Sequence, residues 1–447
     1  IAVGESGGPG VEVIGWLYQF YIAERKQQIN DAKVKITSKE LAPVTQLFTP
    51  HWIVRYLVEN TVGAQWLRAH PDSPLRDRFD YLVAPVPGQE DQGMGIGDPK
   101  DFRVIDPACG SGHMLTYAFD VLWQMYVEAG YPKRRIAAAI LDNNLFGAEI
   151  DARAVQLASF ALMMKAVEHD PGFLERKLRE QDRKAAGLGA GQQGAGRPRI
   201  THVHSVLLED LSPAEIAQAV RGAFGSEDSE RTSVGLEVNR VIEDLRNADT
   251  FGSLIRVPAG TAEVFEAVAL SIEEGQRDVQ LGSADAQQWR EAAGICRVLE
   301  DSRYTTMVAN PPYRDEFPEI KRFARHNYPD SYPDLCTMFI QRAASLVVRR
   351  GSIGMITMHS WMFLKSYQKL RPWMLSAVSL ENMAHLGTRA FDSIGGEVVQ
   401  TTAFTLTNVS AEGTHRSVFL RMTEGTSEAI KDSVLRRAAR SEDDPHR

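Results

Sequence analysis

The sequence predicts an α/β fold, a parallel sheet covered by helices, and two observations carry that reading. Short apolar runs at 102–106, 144–150 and 304–309 each lead into a turn built from Gly, Pro, Asn or acidic residues. Helical periodicity follows the first two runs, at 113–128 and 152–167. Strand, turn and helix repeated in that order is the rhythm of βαβ units.

The N-terminal residues 1–40 form a helical segment, with Ile14, Leu17, Phe20 and Ile22 on one helical face within 12–26. Residues 49–60 repeat that logic through Ile53, Tyr56 and Leu57, with Thr49 as N-cap, Pro50 at the first helical position and Trp52 and Ile53 in the core. The Pro-rich and Gly-rich stretch 71–100 is a connector. Residues 41–210 make the first half of the sheet, closed by a strand at 199–208 and interrupted by a flexible surface linker, AAGLGAGQQGAG, at 185–196.

From 211 to 303 the pattern becomes helical, with clear periodicity at 234–245, 262–272 and 284–299, which predicts an inserted helical lobe. The second half of the sheet, 304–425, holds strands at 304–309 and 352–358 around a helix at 334–348. A Gly395-Gly396 turn and the alternating run 398–406 then predict antiparallel strands, joined by 418–422. Residues 426–447 are a tail.

At 447 residues the chain can hold one large domain with insertions, or two or three domains. Its 43% hydrophobic and 24% charged content is that of an ordinary globular protein. The apolar stretch 11–23 is too short and interrupted to span a bilayer, so no membrane partner is expected. Cys109, Cys296 and Cys336 are far apart and have neither zinc spacing nor a disulfide framework, which fits a reducing cytoplasm and predicts no metal site. No secretory signal is visible at Ile1, and the chain reads as a fragment of a longer protein. With a net charge of -8, either any phosphate-binding surface is local or part of the binder is missing. Basic runs exist at 133–135, 176–184 and 321–326, although solvated helix faces are the ordinary reading of such runs.

Two turns carry chemistry. The loop Asp106-Pro107-Ala108-Cys109-Gly110-Ser111-Gly112 follows the first strand, where Gly residues let backbone approach a nucleoside-like ligand. Asp106 can hold a ligand ammonium or order water around it, and the helix starting near Ser111 offers amide donors to a carboxylate. Without a Gly-Lys-Ser/Thr continuation or the GxGxxG spacing, it is neither a P-loop nor a dinucleotide fingerprint. At the end of the second strand Glu149 suits a ribose diol and Asp151 suits a helix N-cap.

Asn310-Pro311-Pro312-Tyr313 is the sharper signal. The lone pair of an aromatic amine is delocalised into its ring, so acceptors that hold both amine hydrogens favour the tetrahedral geometry needed for attack on a methyl sulfonium. The Asn310 amide oxygen and the Pro311 carbonyl are such acceptors, the two prolines stiffen the turn, and Tyr313 offers a face to a planar substrate. The pair of turns indicates methyl transfer to an amine.

Thr-Pro-His-Trp-Ile-Val at 49–54, Asp-Pro-Ala-Cys-Gly-Ser-Gly-His at 106–113, Gly147-Ala148-Glu149-Ile150-Asp151 and Asn-Pro-Pro-Tyr, in that order, resemble the gamma-type DNA adenine methyltransferases. VEVIGWLYQFYIAERK, QLFTPHWIVRYLVENTVG and Ala248-Asp249-Thr250-Phe251-Gly252-Ser253-Leu254-Ile255 are similar, more narrowly, to the PglX methyltransferases of BREX phage-defence systems. The resemblance implies a Rossmann-like sheet that binds S-adenosylmethionine (SAM), and a double-stranded DNA substrate whose adenine is flipped out of the helix. It assigns Phe48, Thr49, Asp106, Pro107, Ala108, Gly110, Gly112 and Glu149 to SAM, and Asn310, Pro311, Pro312 and Tyr313 to the flipped adenine. Phe391 is implied as a second base-stacking residue, or else as a core aromatic. The family's acid after the third strand is matched here to Asp210 in HVHSVLLED.

The same resemblance implies action on host DNA alongside other phage-defence proteins, and a target-recognition region beyond Arg447. Oligomeric state is left open. Protein glutamine methyltransferases share the Asn-Pro-Pro-Tyr turn, but they lack the 45–54 block and the helical insertion. A restriction-modification fusion and a non-catalytic SAM-binding subunit are the remaining alternatives.

Overall fold

The computed structural model describes residues 49–89, 91–185, 196–224, 229–274, 283–314, 318–391 and 400–447. Phe48, the segment 1–40, the Gly395-Gly396 turn and nearly all of the 185–196 linker lie outside these residues.

The chain enters through helix α1 (His51–Val58), whose Trp52, Ile53, Val54, Tyr56, Leu57 and Val58 are buried. Helical structure continues beyond the expected end at 60, through a π-helical turn (Glu59–Gly63) and a further helix (Ala64–Ala69). Glu59 explains the irregular turn. It is fully buried, and its carboxylate accepts from Arg55 Nε at 2.9 Å, Tyr117 Oη at 2.7 Å and the Tyr81 amide at 2.7 Å.

Strand β1 (Val104–Asp106) precedes α2 (His113–Glu128), and β2 (Leu145–Glu149) precedes α3 (Ala152–His169). β3 (Arg199–His202) is much shorter than the expected 199–208. The insertion captures the residues beyond its end: the Ser205 amide donates to Asp249 Oδ1 at 3.0 Å and the Val206 amide to the Leu245 carbonyl at 3.1 Å. That lobe is helical as expected, with α4 (Ser229–Leu245), α5 (Ala248–Phe251), α6 (Thr261–Glu273) and α7 (Ser283–Leu299). The sheet resumes with β4 (Tyr304–Ala309), α8 (Leu335–Leu346), β5 (Val347–Met358), β6 (Ser379–Gly387), β7 (Thr401–Thr407) and β8 (Val418–Arg421).

These eight strands make one sheet in the order β3-β2-β1-β4-β5-β7-β6-β8. Pairing is parallel from β3 to β5, and β7 runs antiparallel to both β5 and β6. β8 departs from the expected antiparallel join by pairing parallel to β6. The expected mixed α/β architecture is thus the observed one. One apolar core lies on the insertion side of the sheet, around Phe146, Tyr304 and Phe265, and a second lies beneath α1 and α2, around Trp66, Phe102 and Phe119.

The expected tail contains α9 (Glu428–Arg440), capped by the Ser427 hydroxyl, which accepts from the Ile430 amide at 3.4 Å. It returns to the start of the described chain. Trp52 Nε1 donates to Glu428 at 3.2 Å, and the buried Lys431 ammonium donates to the Leu386 and Met422 carbonyls, each at 2.6 Å.

Arg342 of α8 fastens the insertion to the sheet. Its fully buried guanidinium donates to the Ser253 carbonyl at 2.9 Å, to the Leu299 carbonyl and to the Asp301 carboxylate. Removing it strands buried acceptors, so Arg342→Ala should lower unfolding free energy by about 3–5 kcal/mol. Urea denaturation measures this, and a loss below about 1 kcal/mol would show that the insertion does not depend on that anchor.

Candidate functional site

The carboxyl ends of β4, β1 and β2 lie side by side, and the chemistry-bearing turns emerge there. After β1 the chain folds back on itself. Asp106 Oδ1 accepts from the Ala108 amide at 3.1 Å, the Cys109 amide donates to the Ala148 carbonyl at 3.1 Å, and the Gly112 amide to the Cys109 carbonyl at 2.8 Å. Glu149 locks this loop to the next. One carboxylate oxygen accepts from the Gly110 amide at 2.9 Å; the other accepts from the Ile150 and Asp151 amides at 2.8 and 3.0 Å. Asp151 caps α3 as expected, its side chain accepting from the Arg153 amide at 2.8 Å.

The two loop glycines serve different ends. Gly110 has φ +51°, and a Cβ there would meet nothing within 4 Å, so its backbone faces open space. Gly112 has φ +89°, and a Cβ would press on Ala158 of α3 at 3.2 Å. Gly112 therefore answers to helix packing, whereas the sequence pattern assigns it to ligand access.

Burial governs the local electrostatics. Asp106 is 2% exposed, and burial pushes its carboxyl up to about 8, with the nearby Glu149 adding to the shift. Glu149 is also raised by burial, against which its three amide donors work. His113 is pushed down to about 3 by burial and by His51, which keeps its imidazole neutral. Cys109 is the buried residue of the loop, its thiol raised by burial and by both acidic side chains, and so it is a packing residue rather than a nucleophile.

After β4, Asn310 Nδ2 donates to Thr49 Oγ1 at 3.0 Å. This corrects the expected cap: α1 begins at His51 after Pro50 with no side-chain cap, and the Thr49 hydroxyl instead orients Asn310. With the NH2 end of the amide turned to Thr49, its oxygen points the other way. Pro311 is buried, Pro312 and Tyr313 are half-buried, and the Tyr313 hydroxyl lies 3.4 Å from the Ile356 carbonyl of β5. Burial raises the Tyr313 phenol well above its ordinary value, so it remains protonated.

Thr49, Asp106, Pro107, Ala108, Gly110, Glu149 and Asn310 through Tyr313 thus sit along one edge of the sheet. Two sequence candidates lie apart. Asp210 is exposed and pairs with Arg246, just beyond the end of α4, at 2.9 Å, on the insertion side. Phe391 is 4% exposed within the core beneath α1, so reaching an incoming ring requires it to leave that core. Sequence reasoning missed Ser253, whose hydroxyl donates to the Pro107 carbonyl at 2.6 Å and ties the insertion to the Gly loop.

A family model for the Eco57I restriction-modification methylase matches residues 143–391. The chain belongs to that family. A second model, the DNA-methyltransferase domain of MmeI, matches residues 99–186. The chain is 38% identical over 457 aligned residues to the adenine-specific methyltransferase BrxX of Escherichia coli O9:H4 (strain HS), covering 96% of this chain and 35% of that protein. It is 37% identical over 425 residues to the adenine-specific methyltransferase PglX of Lacticaseibacillus casei (strain Zhang), covering 91% of this chain and 33% of that one. It therefore spans about a third of these curated relatives. Among solved structures, a nuclease-deletion mutant of the Type ISP restriction-modification enzyme LlaGI with a DNA substrate mimic aligns at 13% identity and a TM-score of 0.46, covering 94% of this chain and 27% of that one. Both the family and the named relatives agree with the resemblance read from the sequence.

Because Asp106 is raised in the folded protein, its stabilising contribution is full below the ordinary carboxyl range and is lost as pH rises through about 8. Asp106→Asn should then gain stability relative to the unaltered protein between about pH 6 and about pH 9. Denaturant midpoints at the two pH values measure the gap. A gap that does not widen would show that Asp106 is already ionised at neutral pH.

Proposed function

We propose that this chain is the catalytic module of a DNA methyltransferase that moves a methyl group from SAM to the exocyclic amine of adenine in duplex DNA. The observation that carries the reading is the Asn310 amide, held by Thr49 at the end of β4 with its oxygen turned away from that bond. It does so in a chain of the restriction-modification methylase family.

The residues present fit the cofactor. The Gly110 backbone opens onto free space, and the Glu149 carboxylate lies at the end of β2, where it suits a ribose diol. Asp106 suits the ammonium group, and binding there favours loss of the proton that burial retains. Bound in this crevice, SAM supplies a methyl group activated by a sulfonium. Thr49 keeps Asn310 oriented, Asn310 Oδ1 and the Pro311 carbonyl accept the two amine hydrogens, and the amine proton leaves to solvent.

Adenine in a duplex must leave the stack to reach this edge, at a cost of a few kcal/mol. Stacking on Tyr313 offsets about 1–3 kcal/mol of it. A net charge of -8 fits a module that relies on other parts of a longer protein for much of its hold on DNA phosphates. The resemblance to the PglX methyltransferases of BREX phage-defence systems, with relatives named BrxX and PglX, supports a setting of bacterial anti-phage defence in which host DNA is the marked substrate.

Labelled methyl transfer tests this directly. The intact protein should place label on adenine of duplex DNA, and Asn310→Ala should lower the single-turnover rate by at least about a hundredfold. Affinity for SAM should stay within about twofold, since Asn310 acts on the amine. Label appearing on protein instead of DNA, or an unchanged rate in the variant, would overturn the assignment.

A further inference from the structure

β5 outruns its neighbour at the end of the sheet where the Asn310 turn emerges. Met355 pairs with Ala309, the last residue of β4, and β5 continues to Met358, about 10 Å farther along the same direction. The Tyr313 hydroxyl lies 3.4 Å from the Ile356 carbonyl, so the turn leans on this extension. The segment after β5 therefore leaves the sheet beside the proposed adenine site.

Two tight helical turns, His359–Met362 and Lys365–Tyr367, lead from there into a helix at Leu370–Ala377. Trp361, Tyr367 and Leu370 are buried, and Trp361 Nε1 donates to Thr357 Oγ1 at 3.0 Å. Phe363 and Leu364, between these anchors, are 57% and 46% exposed. The tip they form is held stiffly. Arg371 Nη1 donates to the Trp361 and Leu364 carbonyls at 2.9 and 2.8 Å, and the Leu364 amide donates to the Ser360 carbonyl at 3.0 Å. The Phe363 ring stands edge-on to His359, with centroids 4.9 Å apart, which keeps it next to the end of β5. Two apolar side chains ordered in water gain by burial on a partner, and little further ordering is needed when they bind.

Charge indicates which partner. Between Asp334 and Glu381 the sequence has no acidic residue and six Lys or Arg, in a chain whose net charge is -8. Lys365, next to Leu364, and Lys369 are both exposed. An apolar tip among cations, beside a site for an extruded base, matches a duplex in which phosphates flank stacked bases.

We propose that Phe363 and Leu364 form a wedge that enters the DNA stack at the step vacated by the target adenine, with Lys365 and Lys369 on the adjoining phosphates. The inference rests on the reading of the Asn310 turn as an adenine site, and it adds the element that holds the duplex open. Tyr313 stabilises the base outside the helix, whereas the wedge fills the gap inside it and opposes the base's return.

Single-turnover methyl transfer by the intact protein on two duplexes tests the proposal. Both carry its methylation site, one with thymine opposite the target adenine and the other with an abasic position there, where extrusion costs less. Replacing the tip, Phe363→Ala with Leu364→Ala, should slow transfer on the paired duplex by on the order of tenfold or more. On the abasic-opposed duplex the same variant should stay within about twofold of the unaltered protein. Phe363→Leu, which keeps an apolar tip, should retain most of the paired rate. Lys365→Ala should instead weaken binding to both duplexes alike and lower its salt dependence.

Equal slowing of the double variant on the two duplexes would overturn the wedge and leave the adenine site standing. An unchanged rate on the paired duplex would also overturn it, and would assign the tip to a protein partner. Failure of the unaltered protein to label adenine in either duplex would instead overturn the methyl-transfer reading, and this inference with it.

Discussion

The hydrogen bond between Asn310 and Thr49 joins positions 261 residues apart and fixes the direction of the amide on which the proposed chemistry depends. It can form only if the chain entering α1 is carried to the end of β4. Much of the structure around α1 serves that placement. Glu59 is buried beneath it with three donors, the π-helical turn keeps that carboxylate inside, and α9 returns from the far end of the chain to hold Trp52 through Glu428. Held by its neighbours in this way, Asn310 would need little reorganisation in the proposed transfer, which is where an oriented dipole is worth most.

The proposed cofactor edge follows a second rule, the burial of acidic side chains against backbone amides. Asp106 and Glu149 are both raised by burial, and the cost is offset chiefly through amides of the loops they hold. Glu149 connects Gly110 after β1 to Ile150 and Asp151 after β2, so one side chain sets the spacing of two loops. The same group that suits a ribose therefore also shapes the cradle before any ligand arrives.

Much of this was legible in the residues because local pattern and tertiary role agree. The helix expected at 113–128 and the strand expected at 304–309 have the observed bounds, since periodicity, burial and flanking turns all point one way there. Where the outcome is decided by distant contacts, the sequence was silent. β3 stops at His202 because the insertion takes the Ser205 and Val206 amides. Thr49 has the residue type and position of an N-cap, yet its hydroxyl is taken by Asn310, a partner that no local rule could name. α9 hides its inward face behind Lys431, a lysine that is buried only because the Leu386 and Met422 carbonyls receive it.

The central claim is that Thr49 acts on catalysis through Asn310, and a double-mutant cycle on single-turnover methyl transfer addresses it most directly. Thr49→Val keeps the side chain's shape and removes the hydroxyl acceptor. Introduced into the unaltered protein it should slow transfer by about tenfold or more, whereas introduced into Asn310→Ala it should change the residual rate by less than about twofold. Equal effects in the two backgrounds would contradict the account, because Thr49 would then act independently of the amide it is seen to hold.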